Sequence, residues 1–196
     1  MPDSIKDGNS GNVAKVNKLG ELLTLSESVP SEGFQAQDGN AFILHGECHL
    51  SASNNGGLMY FKNLESQFNV TITRIYIDAH KLTPDDIIIT QVFDATPLNG
   101  TDISEVAIVQ KNRSANENLN GQVLISDSAS DLTYTGGTQY HAFPVKNMTS
   151  QQRNMNETNV LGFNNSILWG WKTVSGNNAV DGEVISFSVN VVKRER

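Results

Sequence analysis

With 196 residues, 38% of them hydrophobic and 18% charged, the chain has the composition of a globular protein and room for one sizeable core rather than two full domains. A formal net charge of -7 argues against a nucleic-acid partner, because phosphate-backbone binding requires a basic stripe to release counterions. No stretch approaches the roughly 18 consecutive apolar residues of a membrane span, and the start carries neither a basic n-region nor an apolar h-region, so neither membrane insertion nor classical secretion is expected.

Residues 1–30 are polar and punctuated by Gly8, Gly11 and Gly20. Such a segment buries too little apolar surface to offset its ordering entropy, so it reads as an extended N-terminal arm that becomes fixed on a partner. Val13, Val16, Leu19, Leu22 and Leu23 are the apolar side chains it offers for docking, and 18–28 could form a turn or two of helix. Residues 31–196 read as a single domain of short strands.

The first strand is expected at 42–50. There His45, Glu47 and His49 would share one face and Cys48 would point to the other. His45 and His49 would lie roughly 13 Å apart at about 3.3 Å per residue, too far for one zinc ion with ligands at about 2 Å. The three read as polar-face residues, and Cys48, the single cysteine, as a small buried hydrophobe outside any intramolecular disulfide.

After a strand at 57–62, the stretch 69–78 changes parity. Val70 and Ile72 set one face, Ile75 and Ile77 the other, which places a bulge at Thr73-Arg74 and gives Arg74 a chance of being re-aimed toward a partner. Thr83-Pro84-Asp85-Asp86 has the look of a helix N-cap, yet Ile87-Ile88-Ile89 behind it is β-branched and favours a strand at 87–93. Further strands are expected at 105–110, 122–125, 138–143 and 167–173. Two stretches almost devoid of apolar residues, 111–121 and 146–159, are expected to be long exposed loops.

Trp169 and Trp171 fall on one face of the strand at 167–173. They read as core or subunit-interface anchors, with stacking on a sugar as the alternative. The last strand is the clearest: Ile185, Phe187, Val189 and Val191 alternate with Ser186, Ser188 and Asn190. Turn signals such as Asn54-Asn55-Gly56-Gly57, Asn120-Gly121, Gly136-Gly137 and Asp181-Gly182 separate the strands. Many short strands with regular turns point to an all-β, antiparallel, jelly-roll-like sandwich.

No nucleophile elbow, phosphate loop, zinc-protease helix or dinucleotide fingerprint occurs. His80 and His141 have no catalytic neighbours in sequence. The pairs Asp85-Asp86 and Asp127 with Asp131 could supply acid and base only if the fold assembled them; carboxylates at turns are ordinarily solvated. No catalytic residue, metal or cofactor is expected. The Asn-x-Ser/Thr triplets at Asn69, Asn99, Asn112, Asn147, Asn156 and Asn164 read as products of composition.

The stretch Gly11-Asn12-Val13-Ala14-Lys15-Val16-Asn17-Lys18-Leu19-Gly20-Glu21-Leu22-Leu23-Thr24 resembles the opening of a group of tailed-bacteriophage virion proteins. The likeness continues through Gly39-Asn40-Ala41-Phe42, Gly57-Leu58-Met59-Tyr60-Phe61-Lys62-Asn63 and Val160-Leu161-Gly162-Phe163-Asn164-Asn165-Ser166-Ile167, as order and spacing over most of the chain. The resemblance implies a phage particle. With the acidic charge and the arm-plus-sandwich layout, it suggests a non-enzymatic head decoration or cement protein, assembled in the host cytoplasm. Its partners would be the major capsid protein or other virion proteins and, as a homotrimer, copies of itself. A tail or neck component shares these features, and a carbohydrate-binding sandwich using the two tryptophans is a reading from another class.

Overall fold

The computed structural model describes residues 39–79, 86–112, 117–146 and 149–195, and the backbone of three short strands nearer the N-terminus; of 156–158 the backbone alone is described. The chain divides into Met1–Ser31 and Glu32–Arg196. In the first unit, β1 (Ser4–Lys6), β2 (Val13–Val16) and β3 (Leu22–Leu23) pair antiparallel in that order, with Ser4 opposite Lys15 and Val16 opposite Leu22. The described backbone of the first unit is strand that pairs within that unit. Within 18–28, where helical turns are expected, Leu22–Leu23 is strand, paired with β2; the rest of that stretch and the N-cap at Thr83 fall outside the described residues.

The second unit begins with β4 (Ala41–His49), β5 (Asn55–Asn63), β6 (Phe68–Ala79) and β7 (Asp86–Phe93). It ends with β13 (Thr138–Lys146), β14 (Thr149–Leu161), β15 (Ser166–Thr173) and β16 (Val184–Glu195). The pairing is nested: β7 with β13, β6 with β14, β5 with β15 and β4 with β16, all antiparallel. One long hairpin is therefore rolled up until β16 also meets β6 and β15 also meets β7. This is the eight-stranded jelly roll that the spacing of strands and turns suggested.

Residues 94–137 are inserted at the tip of that hairpin. They carry β8 (Thr96–Pro97), β9 (Thr101–Asp102), α1 (Ser104–Ala107), β10 (Ile108–Gln110), β11 (Gly121–Ile125) and β12 (Tyr134–Thr135). The insertion widens both sheets on the same side, giving the orders β10-β4-β16-β6-β14 and β13-β7-β15-β5-β11-β9, with β12-β8 as a separate pair.

The main core lies between the sheets. Phe42, Leu44 and Cys48 of β4, Ile75 and Ile77 of β6, and Ile185, Phe187 and Val189 of β16 meet Met59, Phe61, Ile89, Ile167, Trp169 and Trp171 of the facing sheet. A second, smaller cluster of Tyr60, Val92, Ala95, Leu124, Leu132 and Leu168 covers the other face of the six-stranded sheet. Burial on both faces explains why Leu58-Met59-Tyr60-Phe61 and Ile167-Leu168-Trp169 are unbroken apolar runs, whereas β16, wet on one side, alternates.

The parity change in β6 is a bulge. Asn190 of β16 lies opposite Arg74 and Val191 opposite Ile72, so Thr73 is the extra residue, and its Oγ1 donates to the Asn190 carbonyl at 3.2 Å. Arg74 stays on its own sheet, where Nε donates to Asn154 Oδ1 and a terminal nitrogen to the Tyr76 hydroxyl, each at 3.0 Å.

Two expectations are corrected. The stretch 146–159, expected as a loop, is largely β14: an edge strand with a single neighbour needs little apolar content, and Ser150, Gln152 and Asn154 lie opposite Asp78, Tyr76 and Arg74 on the outer face. The strand expected at 105–110 begins instead as α1, because the Asp102 carboxylate accepts hydrogen bonds from the Ser104 amide and hydroxyl and turns the chain. The stretch 111–121 lacks regular structure until β11 wherever it is described, yet it is not wholly exposed: Leu119 is buried. Lys193, itself buried, binds Glu117 Oε2 and the Asn118 carbonyl at 3.0 Å each.

Candidate functional site

Of the five apolar residues expected to dock on a partner, Val13 and Val16 lie in β2, and Leu22 and Leu23 in β3. Leu19 falls outside the described residues.

Trp169 and Trp171 are placed differently from a surface role. Both sit mid-sheet on the inward face of β15, 0% and 2% exposed, and the Trp169 ring packs 5.5 Å from that of Phe187. Neither offers a ring face to a subunit or to a stacked sugar, so the anchoring they provide is internal. The physical reason is that β15 lies between β7 and β5, so an inward aromatic there points into the space between the sheets rather than to the surface.

On β4, His45 and Glu47 are exposed on the outer face with His49 partly buried beside them, while Cys48 points inward. His45 Nδ1 lies 2.7 Å from the Ser188 hydroxyl of the neighbouring strand. Burial pushes the Cys48 thiol well above its ordinary range, which leaves it a poor nucleophile. Among the described residues, no three His, Cys, Asp or Glu side chains converge as metal ligands would.

Asp127 and Asp131 are separated in role. The Asp127 carboxylate accepts from Thr101 Oγ1 at 2.8 Å and from the amides of Ala129 and Ser130 at 2.9 Å each. Partial desolvation pushes its pKa upward, but hydrogen bonds from Thr101, Ser130 and Ala129, with the nearby His49, outweigh that and hold it below the usual carboxylate value. Asp127 is therefore a staple that fixes the loop after β11. Asp131, further along that loop, is exposed and makes no side-chain hydrogen bond among the described residues.

Asp131 lines a groove of about 750 Å³ at one end of the sandwich, together with Ser51, Asn55, Gly56, Tyr134 and Asp181. Three connections build it: the one between β4 and β5, the one leading into β12, and the one between β15 and β16. Backbone bonds hold these together, from the Gly57 amide to the Leu132 carbonyl at 2.9 Å, from Ala179 to Ser53 at 2.8 Å and from Leu50 to Glu183 at 2.7 Å. Leu132, buried at 1% exposure, pins the middle segment. The edge of the Trp171 indole lies behind Gly56, with Nε1 2.9 Å from where a β-carbon on that glycine would stand. In sequence, Asn54-Asn55-Gly56-Gly57 and Asp181-Gly182 read only as turns; that their side chains converge is a property of the roll.

With this geometry in view, comparison with protein-family models and with curated proteins yields no match for the chain.

Proposed function

We propose that this chain is a non-enzymatic structural protein of a tailed-bacteriophage particle, a head decoration or cement protein that binds the outside of the capsid lattice. The observation that carries the reading is the division into a jelly-roll body, an architecture used by viral capsid domains, and a separate N-terminal unit whose sequence resembles the opening of virion proteins. The net charge of -7 supports a station away from packaged DNA. The long edge strands β13 and β14 favour assembly into a homotrimer that buries them. Each body would then contribute an N-terminal segment, and several weak contacts made together clamp a lattice more firmly than one.

The test is deletion of residues 2–24. The body should keep its melting temperature, and incorporation into particles should fall sharply. Unfolding of the truncated chain, or normal incorporation, would overturn the role given to the segment. Copy number in purified particles separates the head from the other stations: a count matching the capsid lattice supports a decoration protein, and a count matching one ring places the chain in the neck or tail. Light scattering coupled to size exclusion should show a trimer.

A further inference from the structure

We propose that the groove bounded by Asn55, Gly56, Asp131, Tyr134 and Asp181 is a binding site for a neutral saccharide. The inference stands on the groove alone and does not depend on the virion reading.

The chemistry of the lining selects the ligand. The carboxylates of Asp131 and Asp181 are exposed and make no hydrogen bond among the described residues, so each is available as an acceptor. The Tyr134 hydroxyl is free in the same sense, while its ring is held against the buried cluster around Leu132 and Leu168. Trp171 is 2% exposed, and its Nε1–H makes no hydrogen bond among the described residues. Its Nε1 stands behind Gly56, a residue of the groove's lining, 2.9 Å from where a β-carbon on that glycine would lie.

Carboxylate acceptors in the lining, an unpaired indole N–H directly behind Gly56 and a partly exposed aromatic ring match a molecule whose hydroxyls both donate and accept and whose C–H face is apolar. No lysine, arginine or histidine lines the groove, so phosphates and sulfated sugars would meet only negative charge. A lysine or arginine of a partner protein would satisfy the carboxylates but bring no acceptor for the indole N–H. Calcium calls for six to eight oxygen ligands, more than the groove's two carboxylates supply. The volume of about 750 Å³ lies within the usual range for small-ligand clefts, about 300–1,000 Å³. The backbone bonds across its three connections mean that little ordering entropy remains to be lost on binding.

The experiment is an NMR titration of the full-length ¹⁵N-labelled protein with glucose, galactose, mannose, N-acetylglucosamine, maltose and lactose, following the two indole N–H resonances. At least one sugar should shift the Trp171 signal saturably while leaving that of Trp169 in place. Asp131→Asn and Asp181→Asn, both at exposed positions, should each weaken binding about tenfold, as expected for loss of a charge-assisted hydrogen bond, without changing the melting temperature. Gly56→Ala should abolish the Trp171 shift, and if it also lowers the melting temperature, the two aspartate variants carry the test. No response of Trp171 to any of these sugars would overturn the proposal. So would a response to calcium or to a lysine-rich peptide in their place, or sugar binding indifferent to both aspartate variants.

Discussion

Replacing Phe187 by alanine tests the central claim of the fold, that the odd-numbered residues of β16 enter the space between the sheets. Phe187 is 0% exposed, lies in a strand flanked by β4 and β6, and stacks against Trp169 with ring centroids 5.5 Å apart. Truncating a fully buried phenylalanine costs about 3–5 kcal/mol, which includes both the lost transfer energy and the cavity left behind. That is a large part of the roughly 5–15 kcal/mol that holds a domain folded. In a chain of this size each kcal/mol moves the melting temperature by about 2–4 °C, so a fall of about 6–20 °C is expected. Phe187→Asp should abolish soluble folding, since no buried partner exists for the new charge. Ser188→Asp, on the outer face beside His45, should be tolerated. Thermal denaturation followed by circular dichroism measures all three. If Phe187→Ala costs less than about 1 kcal/mol, or if Ser188→Asp destabilises as much as Phe187→Asp, the facing of β16 is wrong.

Two further expectations concern the insertion. Because the pKa of Asp127 is lowered on folding, its stabilising contribution is present above the unfolded value of 3.8 and lost as pH falls through the folded value. Asp127→Asn should therefore cost about 1 kcal/mol at neutral pH, screened as the site is by solvent. The gap to the unmodified protein should shrink below about pH 4, which urea denaturation at pH 7 and pH 3 would show; an unchanged gap at both would remove Asp127 as the loop's staple. Glu117→Gln leaves the ammonium of Lys193, 5% exposed, with the Asn118 carbonyl and the Phe68 ring 4.7 Å away. It should cost about 1–2 kcal/mol, less than a fully buried pair because Glu117 is itself half exposed, and should expose 111–121 to limited proteolysis. A variant as stable and as protease-resistant as the parent would mean that the ion pair does not hold this loop.

The sequence was most legible where one face of a strand is dry and the other wet. In β16 the alternation gave both strand and facing, and in β6 the shift from Val70 and Ile72 to Ile75 and Ile77 located the Thr73 bulge. It was least legible at the sheet margin. Inward positions of β14 such as Gln151 and Arg153 are only partly covered, and Arg153 rests over the Phe143 ring at 5.5 Å, so the strand lacks the apolar period by which strands are recognised. Trp169 and Trp171 were correctly assigned to one face, but periodicity does not say whether that face meets the opposing sheet or a partner. The groove was out of reach because its residues come from three connections and the strand ends beside them, and turn residues carry no signal of what they will stand beside in space.

The strand order has a consequence for synthesis. β16 lies in the middle of its sheet, between β4 and β6, but follows both in the chain. While residues 184–195 are still inside the ribosome, β4 and β6 each present an unpaired edge to solvent, and at roughly 5–20 residues per second they wait through the translation of more than half the chain. Glu47 and Asp78 lie along those waiting edges, each with its carboxyl group on the face that stays outermost once β16 arrives between them.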